Sequence, residues 1–162
     1  MDRARVLEVL GAVPDPEVPA ISVVELGIVR EVVIDADGAV KVVITPTYSG
    51  CPAMFEIEKD IRAALTDAGA PSVDVSTVLS PAWTTDWIGP EAREKLRAYG
   101  IAPPGRAEQG GLTTLTRARP PVKCPHCGSD ETELKSEFGS TACKAIHVCK
   151  SCRQPFDEFK AF

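Results

Sequence analysis

The 162-residue chain is 44% hydrophobic and 25% charged, with a formal net charge of −5. That is the make-up of one globular domain, or of a compact domain with a small appendage. No apolar run approaches the ~20 residues a bilayer span needs, and residues 1–118 carry 11 Lys+Arg against 17 Asp+Glu while residues 119–162 carry 7 against 6, so neither part is the basic surface that phosphate backbones require.

Membrane and nucleic-acid partners are therefore not expected. The opening MDRARVLEVLGAV has no signal-peptide h-region, because Glu8 interrupts its apolar stretch. A cytoplasmic location follows as the expectation. In that compartment six cysteines point to metal or thiol chemistry sooner than to disulfides.

Val6, Leu7 and Leu10 recur at helical spacing over residues 3–12, and Gly11 with Pro14 ends the pattern. Residues 15–27, DPEVPAISVVELG, read as an extended loop that could cover a site or simply stiffen the chain. Strand composition follows at 28–34 and 40–45, joined by the hairpin signal DADG. In the first of these strands Arg30 falls on the same face as Ile28, Val32 and Ile34, so the alternation is imperfect. Residues 53–68 predict a helix with Phe55, Ile61, Leu65 and Ala68 on its inner side, and Gly69 and Pro71 stop it.

A third strand is predicted at 73–79, then a loop, PAWTTDWI, and a short helix at 90–100 with Pro90 in its first turn. Trp83 and Trp87 in that loop read as packing for the sheet edge, with a lid over a site as the sharper alternative. The order helix, strand, strand, helix, strand, helix predicts a small α/β (α+β) sandwich, one sheet with helices against it, over residues 1–100. Residues 101–120, rich in Pro, Gly and Thr, read as a linker or a loosely docked arm. Residues 121–162 form a second module.

That module holds Cys124-x2-Cys127 and Cys149-x2-Cys152. Two such turns converging from separate strands give a tetrahedral ion four thiolates, which predicts a structural four-cysteine zinc ribbon. A segment this short with little apolar core needs such a staple. An iron–sulfur cluster and a pair of disulfides are the weaker alternatives. His126 and His147 read as neighbours of the cage and not as ligands. Cys143 is left over, as a small buried residue or as a spare thiolate beside Lys144.

Cys51 stands alone in TYSGCPA. With Pro52 as the first helical residue, Cys51 would cap the helix and meet its free amides, which lowers a thiol pKa. Thr47, Tyr48 and Ser49 supply hydroxyls nearby, and Asp15, Glu17 and Glu25 in the preceding loop are candidate oxygen ligands. A buried small residue is the plain alternative for Cys51. Residues 1–118 contain no histidine, so a Cys–His hydrolase or acyltransferase lacks its base. Handling of iron or a cluster asks for less.

DPEVPAISVVELGIVREV, TPTYSGCPAM and PAWTTDWI resemble the small α/β domain of SufT-type iron–sulfur assembly factors, and CPHCGS…FGSTACKA…C-x2-C resembles the PaaD-like (PaaJ-like) members of that group. The resemblance covers nearly the whole chain. It implies an accessory or maturation component, not an enzyme, of the multicomponent phenylacetyl-CoA 1,2-epoxidase of phenylacetate catabolism. The partners it implies are that system's oxygenase, with its di-iron centre, and its reductase, with its iron–sulfur cluster. The matched positions are Cys51 for the reactive cysteine, helped in one reading by Cys143, and Cys124, Cys127, Cys149 and Cys152 for the ribbon. A transient iron–sulfur cluster and a homo-oligomer stay open. So does a non-catalytic subunit that only bridges epoxidase components. The sequence independently lacks the Glu-x-x-His pairs of a carboxylate di-iron oxygenase.

Overall fold

The structure, a computed structural model, describes residues 1–106 and 120–162. The chain divides into two compact units: residues 1–83 with 87–89, and residues 84–86 with 90–162. Among the described residues no helix is long and apolar enough to cross a membrane.

The first unit begins with α1, Arg3–Gly11, whose N-cap Asp2 accepts the Arg5 N–H. Val6 and Leu10 are fully buried on its inner face. β1 (Val29–Ile34) and β2 (Val40–Ile44) pair antiparallel, and β3 (Val73–Thr77) lies parallel to β2, in the order β1-β2-β3. The register of β1 shifts between Val29 and Glu31. This bulge accounts for the broken alternation in the sequence: Arg30 is the extra residue, and its guanidinium carbon lies 3.6 Å from the centroid of the Trp87 ring.

Between β2 and β3 runs α2, Met54–Asp67, with Ile57, Ile61 and Leu65 buried. Phe55, expected on that inner side, is 73% exposed. At ~100° per residue it points about 200° away from Ile57, so it lies off the buried stripe of Ile57, Ile61 and Leu65. Trp83 is buried, and its indole N–H donates to the Leu26 carbonyl at 3.0 Å. Both tryptophans thus pack the Val13–Leu26 region and β1, in line with the plainer of the two expectations.

The second unit contains α3 (Pro90–Ala98), β4 (Ile101–Ala102), β5 (Thr132–Ser136), β6 (Lys144–Cys149) and β7 (Pro155–Phe159). Its sheet runs β4-β7-β6-β5, with β4 and β7 parallel and the other pairs antiparallel. The sequence placed residues 90–100 with the first domain and 101–120 in a linker, and the structure differs on both. Arg93 on α3 donates to the carbonyls of Thr85 and Pro104, and Ile101 and Ala102 are a strand of the ribbon sheet. Amphipathic spacing marks a helix but does not say which sheet it joins. The rest of the expected linker, residues 107–119, lies outside the described residues.

Candidate thiol and metal sites

Cys124 and Cys127 sit on one tight turn and Cys149 and Cys152 on another. The turns repeat each other in their backbone hydrogen bonds: Cys124 N–H donates to the Ser129 carbonyl at 2.9 Å, and Cys149 N–H donates to Gln154 at 3.0 Å. Each turn needs a left-handed residue after its second cysteine. Gly128 fills that place at φ +76 and Arg153 at φ +63. Ser129 Oγ and Ser151 Oγ lie 2.8 Å apart, joining the two turns, and Ser151 donates on to Glu131.

The four sulfurs lie within 4.8 Å of one another, and no other group of three or more metal-ligating residues occurs among the described residues. Cys124 and Cys152 Sγ are 3.8 Å apart, and Cys127 and Cys149 Sγ 3.6 Å. A tetrahedral ion with ~2.3 Å bonds to sulfur needs its ligands ~3.8 Å apart, so the donor set fits. Backbone amides add to it, among them Cys152 N–H to Cys149 Sγ at 3.5 Å.

The sulfurs of the cage differ in how firmly they hold their protons. The Cys152 amide, with its neighbours, pulls the Cys149 thiol down to about 6. Cys152 goes the other way: the Gln154 amide opposes, but burial and the surrounding sulfurs push it up to about 12. Cys127, despite the Ser129 amide, is likewise raised beside Cys149. A cation bound among the four sulfurs would favour the thiolate form of each.

Neither histidine belongs to the cage. His147 Nε2 lies 2.7 Å from Glu158 Oε2, with both side chains largely buried, and its ring stacks on Phe156. Phe156 packs with Cys124, Cys149 and Ala102. The exposed His126 meets the edge of the same Phe156. Cys143 is 2% exposed, with the Thr141 hydroxyl 3.1 Å from its sulfur. That is the setting of a packed residue, and the neighbouring Lys144 is itself buried beside Asp157.

Cys51 occupies a different setting from the one its neighbours suggested. α2 begins at Met54 with Ala53 as N-cap, so Cys51 precedes the cap by two residues. It opens a turn in which Met54 N–H donates to the Cys51 carbonyl. Gly50 is needed there for its backbone, at φ +84, and not for space, since nothing approaches its Cβ position. Cys51 is 9% exposed. Burial pushes its thiol above the ordinary value, the Ala53 N–H pulls back, the Glu17 carboxylate adds to the rise, and the Thr47 and Tyr48 hydroxyls again oppose it. The expected depression is therefore corrected: desolvation outweighs the amide and hydroxyl donors.

The predicted supporting residues separate in the same way. Thr47 reaches the sulfur, while Ser49 is exposed. Asp15 is 4% exposed and its carboxylate accepts the N–H groups of Glu17 and Val18. Glu25 accepts from the backbone and hydroxyl of Ser22. Those two carboxylates shape the loop, and the loop brings Glu17 to the thiol. Of the hydroxyls and carboxylates that the sequence offered, Thr47, Tyr48 and Glu17 are the ones that act on the thiol.

Two family models match the chain: an iron–sulfur cluster assembly protein over residues 3–78 and a PaaD zinc beta ribbon domain over residues 108–160. The chain is 50% identical over 151 residues to an Escherichia coli (strain K12) protein named as a subunit of a "Putative 1,2-phenylacetyl-CoA epoxidase", covering 93% of this chain and 88% of that one. It is 34% identical over 92 residues to a Porphyromonas gingivalis Fe-S protein maturation auxiliary factor, covering 56% of this chain and 87% of that one. A crystal structure of a domain of unknown function, DUF59, from Bacillus anthracis superposes with a TM-score of 0.55 at 27% identity, covering 57% of this chain and 89% of that one. The first two relatives carry the names of an epoxidase component and a maturation factor.

Proposed function

The chain belongs to the PaaD family, and from that premise we propose that it serves the phenylacetyl-CoA 1,2-epoxidase as a maturation component, not as its catalyst. In this reading Cys51 takes up iron or an iron–sulfur unit as cargo and passes it to the oxygenase or the reductase. The ribbon holds one structural zinc ion on Cys124, Cys127, Cys149 and Cys152.

The observation that carries the reading is the polar setting of an otherwise buried thiol: an amide and two hydroxyls meet Cys51, and the Glu17 carboxylate acts on it electrostatically. A cysteine present only to fill space has no use for three polar partners. Its raised pKa keeps it a neutral thiol at pH 7. Cargo uptake then releases a proton, and Glu17 lies within electrostatic reach of that thiol. A single ion in the ribbon is supported by the 4.8 Å span of the sulfurs, which leaves room for one metal and not for a multi-iron cluster.

The test is reconstitution of the epoxidase components with wild-type and Cys51→Ser protein, followed by metal and sulfide analysis. The variant should leave the oxygenase or reductase under-loaded while its own zinc stays stoichiometric. Full loading by Cys51→Ser, together with failure of a ribbon variant to assemble with the epoxidase, would establish the bridging role in its place.

A further inference from the structure

Along one edge of the first unit, α2 and β3 are joined in register. Arg62 Nη1 and Nη2 donate to the carbonyls of Val73 and Val75 at 2.7 and 3.1 Å. One turn earlier on the helix, Glu58 Oε1 accepts from the Thr77 hydroxyl at 3.0 Å. The helix thus runs along β3 in the opposite direction, and residues 55, 58 and 62 share the face that does so. Continued one turn nearer the helix N-terminus, the same antiparallel spacing puts Phe55 on the side of Val78 and Leu79, where Val78 N–H is still tied to the Ile44 carbonyl.

These three side chains are 73%, 37% and 63% exposed. Exposed apolar residues scattered singly are ordinary, but three large ones brought together mark a contact surface. They sit at the carboxyl ends of the parallel strands β2 and β3, the end of an open α/β sheet where ligands are taken. Cys51, three residues before the start of α2, lies at that same end.

We infer that Phe55, Val78 and Leu79 anchor a docking surface for a polypeptide segment that carries a bulky apolar residue flanked by Lys or Arg. The inference rests on the maturation reading above and assigns that segment to the protein receiving the cargo. Charge selects this occupant. Residues 1–83 hold 6 Lys+Arg against 13 Asp+Glu, and Glu58 borders the patch. A second copy of this chain would set acidic surface against acidic surface, which charge disfavours. Strand addition is blocked as well, because the Arg62 guanidinium already occupies the outer carbonyls of β3.

The full chain is titrated calorimetrically into purified epoxidase oxygenase and reductase, as wild type and as Phe55→Ser, Leu79→Ser, Phe55→Leu and Cys51→Ser. One component should bind, and its affinity should fall as salt rises. Phe55→Ser and Leu79→Ser should each bind about tenfold or more weakly, the loss expected for an anchor side chain left unburied. Phe55→Leu should bind nearly as wild type, and Cys51→Ser should bind normally while failing to load. Unchanged affinity in both serine variants would overturn the docking surface and leave the maturation reading standing. A wild-type dimer in sedimentation that the serine variants dissociate would overturn it too, by giving the patch to a second copy. If wild type binds neither component, the maturation reading falls and takes the surface with it.

Discussion

In the first unit, Val6, Leu10, Ile44, Ile61 and Leu65 are fully enclosed, and the unit's single thiol lies at a loop before α2. In the second, one buried cluster consists of Ala102, Cys124, Cys149 and Phe156, so that two of its four members are sulfur ligands. The first unit is held by hydrocarbon and does not depend on its cysteine for a core. The second uses its cysteines to stay folded. How far a unit depends on its cysteines therefore follows from what else it has available to bury.

The largest effect that would break this contrast is metal loss from the ribbon. Removing the ion by chelation, or one ligand by Cys124→Ser, should unfold residues 120–162, since structural zinc contributes on the order of 10 kcal/mol to such modules. Amide exchange should show that loss while the protection of β1, β2 and α2 is retained. Loss of protection in both regions would mean that the first unit does not stand on its own core.

The complementary change is Ile61→Ala. It removes a side chain with no exposure and should lower the denaturation midpoint of the first unit by the equivalent of about 2–5 kcal/mol. Zinc content, measured by a colorimetric chelator, should not change.

A smaller effect concerns the left-handed residue of the second cysteine turn. Arg153→Gly matches the Gly128 turn and should stabilise the ribbon by up to about 1 kcal/mol, seen as slower release of metal to a competing chelator. A faster release would show that the Arg153 side chain matters more than its backbone.

The smallest effect sharpens the contrast between the thiols. The Cys51 pKa is raised on folding, so the folded chain keeps its proton to higher pH than the unfolded chain. That contribution to stability is complete below the unfolded value near ~8.5 and is lost as pH rises through the folded value. Alkylation of Cys51 should accordingly show a midpoint above that of a free thiol. Thr47→Val and Tyr48→Phe, by removing donors to the sulfur, should move the midpoint higher still. A midpoint below that of a free thiol would restore the helix-cap account of Cys51.

Much of the fold was legible because its signals are local. The spacing of Val6 and Leu10, the turn DADG, and Pro and Gly at the ends of the helices each act within a few residues. The cysteine cage was legible for the same reason: a Cys-x2-Cys turn places two sulfurs by its own geometry. Phe55 misled because an apolar residue at a helix end carries no information about which turn first meets the sheet. The bulge at Arg30 showed in the sequence as a broken alternation, but its cause lay in the pairing with β2.

By itself the sequence determined which segments of residues 1–100 become helix or strand, that four sulfurs meet, and that one cysteine stands apart. Tertiary structure alone decided that α3 and Ile101–Ala102 join the second unit, that Asp15 and Glu25 serve their loop while Glu17 faces the thiol, and that the thiol is held protonated. The physical reason is range. Periodicity and turn chemistry are fixed by neighbours along the chain. Desolvation, which sets the protonation of Cys51, is summed over everything the fold brings around it.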